Sequence, residues 1–176
     1  MKSKAIDRTR GSLARYVRRA LELGAAGAKL IRPSGVVCAE WVRLKCEFGC
    51  GGFGLCRTCP PRSPTPDRTR RVLDGYRHLL LVHTKRWRAV TPLVVRLERE
   101  IFLDGWYKAF AWGAGPCRLC KECDLTAPCE HPERARPAME GSGIDVYATA
   151  RRAGFPIAVV RSRADDDNYY GLVGID

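Results

Sequence analysis

The cysteines are the residues of this 176-residue chain whose type and spacing suggest chemistry. Cys117, Cys120 and Cys123 are separated by two residues each, and Cys129 follows them. Two-residue gaps let thiolates in a tight turn converge on one metal centre, and three such cysteines in series are typical of the ferredoxin run that holds a cubane. We therefore predict an iron–sulfur centre of the [4Fe-4S] type in a loop over residues 117–132.

Zinc is the alternative metal for this loop. Zinc sites more often use two separated Cys-x-x-Cys pairs, so three cysteines in series fit iron–sulfur better. His131 could replace a thiolate in a zinc site, but we favour a surface position or a contact with a ligand for it. The fourth cysteine of a ferredoxin run serves the other cluster in two-cluster proteins, so Cys129 need not share a centre with Cys117, Cys120 and Cys123.

A second cysteine-rich loop is predicted over residues 46–61. Glycines in this segment let the backbone pass close to a cofactor, and Cys59-Pro60 matches the end of a ferredoxin run. Four thiols here fit a second metal centre, although their spacing is irregular. Cys38 lies in an apolar stretch, and we expect it to be a small core residue. The four candidate ligands of the loop are Cys46, Cys50, Cys56 and Cys59.

The odd total of nine cysteines and a chain long enough to form its own core both argue against a disulfide framework. The opening residues do not show a secretory pattern, and no stretch approaches the ~20 apolar residues of a membrane helix. We therefore expect a cytoplasmic protein that does not enter the membrane. Clustered cysteines in the cytosol more often bind metals than form disulfides.

The chain carries a formal net charge of +12, from 31 Lys+Arg against 19 Asp+Glu. Such a charge attracts nucleic acid, anionic cofactors or acidic protein partners. The basic residues are spread along the sequence, however, which favours solvated faces over one nucleic-acid surface. A cubane on four thiolates has a formal charge of about −2, so each bound cluster would offset part of the excess.

The pattern of helices and strands predicts an α/β (α+β) fold in one domain, residues 1–176, with a compact layer of helices on a mixed sheet. Apolar spacing predicts a helix over residues 9–23 and another near residues 144–148, and Thr65-Pro66 and Thr91-Pro92 each predict a helix start. Both cysteine loops would fold onto this scaffold. Strands are expected over residues 28–31, 36–41, 79–82, 106–112, 157–160 and 169–175.

Several motifs together resemble the bacterial and archaeal family catalogued as domain of unknown function 2284, described as predicted metal-binding proteins. The resemblance covers nearly the whole chain. It implies a metal site that uses Cys46, Cys50, Cys59, Cys117, Cys120, Cys123 and Cys129, and it implies no reaction. The motifs are Trp41-Val-Arg-Leu-Lys-Cys46, Gly49-Cys50, Cys59-Pro-Pro, Gly115-Pro-Cys117-Arg-Leu-Cys120, Cys123, His131-Pro, Ala135-Arg-Pro137, Glu140 and Gly143-Ile-Asp145-Val.

The chain departs from the family pattern at one position. A cysteine is common just before Gly-Ile-Asp-Val in the family, where this chain has Ser142. If that position holds a second cluster in relatives, the cluster here must use Ser142, recruit Cys56 or be absent. The first-loop centre is therefore less firmly predicted than the second-loop centre.

Three functions are compatible with these motifs. The leading one is electron transfer through one or two clusters to a protein partner, which the basic surface predicts to be acidic, such as a flavodoxin-like carrier. The second is an enzyme or cluster-assembly accessory with an open iron site. The third is a zinc-stabilised module that binds nucleic acid or protein. No catalytic motif is recognisable, so whether the chain is an enzyme stays open.

We expect His78 and His83 to be structural, and Asp165-Asp166-Asp167 to form a solvated turn.

Replacement of Cys120 by serine tests the second-loop centre. We expect Cys120→Ser to lose metal and much of its stability, because binding free energy at such a site is also folding free energy. Metal content and thermal unfolding of the purified variant measure both effects. Full metal content together with unchanged melting would contradict the assignment.

Overall fold

A computed structural model describes residues 13–162 and 167–176. Within these ranges the chain forms five α-helices and four strands, and none of the described helices is long and apolar enough to cross a membrane. Short 3-10 helices occupy Pro33–Gly35 and Glu140–Ser142. In chain order the elements are α1 (described over residues 13–22), β1 (Gly27–Ile31), α2 (Glu40–Gly49), α3 (Pro66–Asp74), β2 (Leu79–Thr84), α4 (Trp87–Leu103), β3 (Phe110–Trp112), α5 (Val146–Arg152) and β4 (Tyr169–Gly174).

The strands form one sheet in the order β1-β2-β4-β3. The α+β class is confirmed, but every strand pairing is antiparallel, so the prediction of a mixed sheet is wrong. The reason lies in β4. β2 and β3 run in the same direction with α4 between them in sequence, as the helix–strand order suggests. β4 is inserted between the two in the sheet and runs the opposite way, which makes both contacts antiparallel.

Helices cover both faces of the sheet, and β2 is therefore buried along its whole length. Leu80 and Val82 face one apolar cluster with residues of α1 and α4. Leu79 and Leu81 face a second cluster with residues of α3 and α5. Alternate side chains of a strand point to opposite faces, so β2 must be apolar at every position to serve both clusters.

Close packing on the α4 face depends on a glycine in β4. A Cβ atom added to Gly171 would lie 2.7 Å from Cγ1 of Val90 and 2.7 Å from Cγ1 of Val94. Neither valine can move far, because both are fully buried. The missing side chain therefore lets α4 approach the centre of the sheet.

Several predicted elements match and others do not. The helix start at Thr65-Pro66 is confirmed, with the Thr65 side chain accepting a hydrogen bond from the Arg68 amide. The predicted helix over 9–23 agrees over residues 13–22, and residues 9–12 lie outside the described ranges. The start at Thr91-Pro92 is wrong, since α4 begins at Trp87 and keeps Pro92 inside it. No strand forms over 36–41, 106–109 or 157–160.

The second cysteine loop leaves the sheet and returns to it at one point. Gly113, directly after β3, donates its amide to the Pro137 carbonyl at 2.8 Å and accepts from the Met139 amide at 2.9 Å. Thr91 of α4 fixes the neighbouring residue, because its Oγ1 accepts a hydrogen bond from the Ala114 amide at 3.2 Å. The segments just before and just after the second cysteine loop are thus joined by backbone hydrogen bonds.

A buried ion pair fixes the returning segment. Arg136 donates from Nε and Nη2 to the two carboxylate oxygens of Glu98, each at 2.6 Å. Glu98 Oε2 also accepts from the Ala111 amide of β3 at 2.9 Å. The side chains of Arg136 and Glu98 are only 13% and 11% exposed, so removal of one charge would leave the other buried without its partner.

We predict that Arg136→Ala lowers the free energy of unfolding by about 3 kcal/mol, because the Glu98 carboxylate would stay buried with only an amide donor. Urea unfolding of metal-loaded protein measures the change. Arg134→Ala is the matched control, since Arg134 pairs with Glu133 on the surface and exposed pairs contribute little. Equal losses in the two variants would contradict a special role for the buried pair.

Candidate metal centre

The first cysteine loop begins on a helix. Cys46 lies within α2 and Cys50 directly follows its last residue, so the prediction that residue 46 opens a loop is wrong. The one buried residue of α2 is Val42, and this helix was missed because glycines and cysteines dominate its end. Cys56 and Cys59 lie beyond, in a series of turns, and both are buried.

The thiols of the first loop interact with one another. The interaction of Cys59 with Cys56 holds the pKa of the Cys56 thiol below its usual range and raises the pKa of the Cys59 thiol. Burial raises the pKa of Cys46, and the charges of Cys50 and Glu140 add to this effect. The Gly52 amide points at Cys50 Sγ, at 3.4 Å. Cys46, Cys50 and Cys56 are thus all near enough to Cys59 to raise the pKa of its thiol.

The second loop has almost no regular secondary structure between Gly113 and Pro137. Asp124 fixes a turn in this loop, because its Oδ1 accepts from the amide and hydroxyl of Thr126 at 2.8 and 2.6 Å. Burial raises the pKa of the Cys117 thiol, with smaller contributions from the charges of other cysteines. The interacting thiols of this loop are Cys117, Cys120, Cys123 and Cys129.

The two cysteine loops adjoin. The pKa of the Cys56 thiol, which is lowered mainly by Cys59, is lowered further by the backbone of Cys117, so these two residues are neighbours. Arg57 donates from Nη2 to the Ala127 carbonyl. A Cβ atom added to Gly52 would lie 3.8 Å from Cβ of Pro116. Cys56 of the first loop is therefore close to the second loop at Cys117.

Glutamate and histidine side chains add potential metal ligands to the second loop. In the described ranges, one set of three potential metal ligands has its donor atoms within 4.8 Å of one another: Cys120, Glu130 and His131. Cys120 Sγ also lies 3.9 Å from Glu130 Oε2. Glu130 is not among the predicted metal ligands, although its position between Cys129 and His131 in the sequence places it between two potential ligands. Thiolates around a cubane lie farther apart than the ligands of one ion, so this set suits a single ion.

Two unpaired oxygen atoms lie beside the first loop. The Glu140 Oε2 and Ser142 Oγ atoms are buried and have no hydrogen-bond partner among the described residues. Both residues belong to the 3-10 helix Glu140–Ser142, which packs against α2, and burial raises the pKa of the Glu140 carboxyl. Unpaired buried oxygens beside four thiols fit a metal centre, because a cation would satisfy atoms that are otherwise costly to bury.

The remaining candidates have structural surroundings. Cys38 packs against the second apolar cluster and pairs with Ile144 in an isolated bridge. His78 Nδ1 lies 2.9 Å from Oδ1 of Asp176. His83 stacks on Tyr170 with ring centroids 4.9 Å apart, and burial lowers its pKa. Of the predicted acidic turn, Asp165 and Asp166 lie outside the described residues.

Comparison with family models identifies the class of the protein. The model described as "Predicted metal-binding protein (DUF2284)" matches residues 29–175, which include both cysteine loops. The chain therefore belongs to this family of predicted metal-binding proteins, as its motifs predicted. No curated protein and no solved structure matches the chain. Which of the cysteines are ligands stays a prediction.

Paired cysteine variants test the role of Cys56 as a ligand. We expect Cys56→Ser to lose a large part of the bound metal, because its thiol contacts Cys59 and the Cys117 amide. Cys38→Ser is the matched control, and we expect it to keep its metal because Cys38 packs in the apolar cluster. Metal per chain after anaerobic purification measures both. Full metal content in Cys56→Ser would exclude it as a ligand.

Proposed function

We propose that the chain binds one or two [4Fe-4S] clusters and passes single electrons to a partner protein. The observation that supports the proposal is that two cysteine-rich segments, each with four cysteines, are in contact with one another. Four thiolates are what a cubane requires, and three of those in the second loop have ferredoxin spacing. Two neighbouring centres would provide a path for an electron.

The residues have separate parts in such a protein. The second loop would hold its cluster through Cys117, Cys120, Cys123 and Cys129, and the first loop through Cys46, Cys50, Cys56 and Cys59. A bound cluster supplies one-electron chemistry, whose potential depends on hydrogen bonds to sulfur and on solvent exposure. The Gly52 and Cys117 amides already point at thiols, so they would raise the potential of a cluster held there.

Exposed apolar side chains lie in and next to the first loop. Phe48 is 80% exposed, Leu55 64% and Leu44 53%. Leu44 and Phe48 are four residues apart on α2, so they share one face of the helix, and Cys46 lies on the opposite face of the same helix. An exposed apolar patch is typical of a protein interface, and the net charge of +12 favours an acidic partner. A partner docked here would be close to the first centre. We place the protein in the cytoplasm, where reducing conditions keep such thiols free of disulfides.

Zinc binding is the second candidate function. The donor set of Cys120, Glu130 and His131 combines sulfur, oxygen and nitrogen atoms within 4.8 Å, and zinc accepts all three types of ligand. A single zinc ion there would stabilise the second loop without redox activity. The basic surface would then favour nucleic acid or an acidic protein as the partner.

Iron, zinc and acid-labile sulfide analysis of anaerobically purified protein tests the proposal. We expect iron and sulfide at about four per chain for one cubane, or about eight for two, and a brown protein with a broad absorption band at about 400 nm. One cubane would be assigned to the second loop. Colourless protein that contains zinc and no sulfide would contradict the proposal, since zinc has a filled d shell.

Two variants separate the candidates further. His131→Ala and Glu130→Gln remove the nitrogen and oxygen donors but leave all cysteines in place. We expect both variants to keep their iron, because thiolates alone hold the cubane. Metal loss in these variants would favour the single-ion site instead.

A further inference from the structure

A large cleft separates α4 from the second cysteine loop. Its volume is about 820 Å³, within the range of small-molecule sites. Residues 114–119 form one wall, so the segment around Cys117 faces the cleft. The wall residues Arg118 and Leu119 lie between two predicted ligands, Cys117 and Cys120.

The other wall is a single face of α4. Its side chains recur at intervals of four, three, four and three residues, which is the repeat of one helical stripe. The opposite stripe of the helix faces the core and is buried, with Leu93, Leu97 and Ile101. The cleft-facing stripe carries two arginines and three apolar side chains: Arg88, Pro92, Val95, Arg99 and Phe102.

Positive charge is in excess around the cleft, with six arginines against two glutamates. Three of the arginines are paired: Arg136 with Glu98, Arg134 with Glu133 and Arg96 with Glu100. The other three have no acidic partner within the described part of the chain. They are Arg88, Arg99 and Arg118.

An aromatic ring positions two of these three guanidinium groups. The Arg118 Cζ atom lies 4.6 Å from the centroid of the Trp87 ring, and the Arg88 Cζ atom lies 5.4 Å from it. Stacking on an aromatic ring leaves the N–H groups at the guanidinium edge available to an anion. Several guanidinium groups around one space are well suited to a phosphate, which accepts many hydrogen bonds.

The cleft also has apolar walls. Phe102 is 53% exposed at one end, and Pro92, Val95 and Leu119 line the space between it and Trp87. A free phosphate would leave these side chains uncovered. A ligand with a flat apolar ring and a phosphate group would use both kinds of surface.

We propose that this cleft binds a small organic phosphate with a planar ring, the chemical class of nucleotides and flavin phosphates. Arg99 and Arg118 bind the phosphate, and the apolar walls cover the ring. The bound molecule lies against the backbone between Cys117 and Cys120. The site does not require a particular metal in the second loop, so it is independent of the iron–sulfur proposal.

Riboflavin 5′-phosphate is the probe, because its fluorescence reports burial of the ring. We expect it to bind the full-length, metal-loaded protein and to bind at least about tenfold more tightly than riboflavin, which lacks the phosphate. Arg99→Ala and Arg118→Ala should each weaken binding about tenfold or more. Arg68→Ala is the control, since Arg68 is exposed on α3 and should leave binding unchanged.

Arg99→Ala is the decisive variant because Arg99 lies on α4, outside the cysteine loops. Metal content is measured on every variant, so that loss of a cluster in Arg118→Ala is not mistaken for loss of a phosphate contact. Unchanged affinity in Arg99→Ala, or an equal loss in Arg68→Ala, would overturn the proposal. Binding of an oligonucleotide without binding of riboflavin 5′-phosphate would overturn it in favour of a nucleic-acid surface. Arginine-dependent binding to protein that contains only zinc would support this site while contradicting the iron–sulfur proposal.

Discussion

The position of the second cysteine loop depends on one carboxylate. Glu98 lies on α4 and is bound at once by Ala111 of β3 and by Arg136 of the returning chain. Thr91, two turns earlier on the same helix, holds the first residues of the loop. Both ends of the loop are therefore fixed to α4, and α4 is fixed to the sheet by the close approach at Gly171. The loop has no hydrogen-bonded ladder of its own, so its position is defined by the contacts at its two ends.

Between these anchored ends, the second loop has almost no regular secondary structure. The thiols of Cys46, Cys59 and Cys117 have raised pKa values, so they are protonated near neutral pH without metal and must release protons on binding it. Metal affinity should consequently fall as the pH falls. The buried, unpaired oxygens of Glu140 and Ser142 add to the cost of leaving the site empty. Metal binding and local folding are thus linked in these loops, and the scaffold limits how much must be ordered when metal binds.

The sequence was most informative where periodicity and motif spacing are local. β2 was recognisable as a run of apolar residues, and the start of α3 from Thr65-Pro66. The two cysteine groups were visible from spacing alone. Pro92 misled because a proline commonly begins a helix, whereas packing of the preceding turn, including buried Val90, extends α4 back to Trp87. Val159 and Val160 suggested a strand, yet they are 65% and 50% exposed and pair with no strand edge. The contact of Glu98 with Arg136 spans 38 residues, and no local pattern reveals it.

The two faces of helix α4 have different roles. Its core-facing stripe packs on the sheet, and its outer stripe forms a wall of the arginine-rich cleft, whose opposite wall is formed by residues 114–119 and includes Cys117. Arg118 connects these surfaces most directly, because it follows Cys117 in sequence and its guanidinium stacks on Trp87 of α4. A shift of the Cys117 segment when metal binds would therefore move a guanidinium that faces the cleft. By thermodynamic linkage, a molecule in the cleft that holds Arg118 would change the affinity of the loop for metal to the same extent. The short distance between the two sites makes such coupling a direct consequence of shared residues, and it requires no movement of the scaffold.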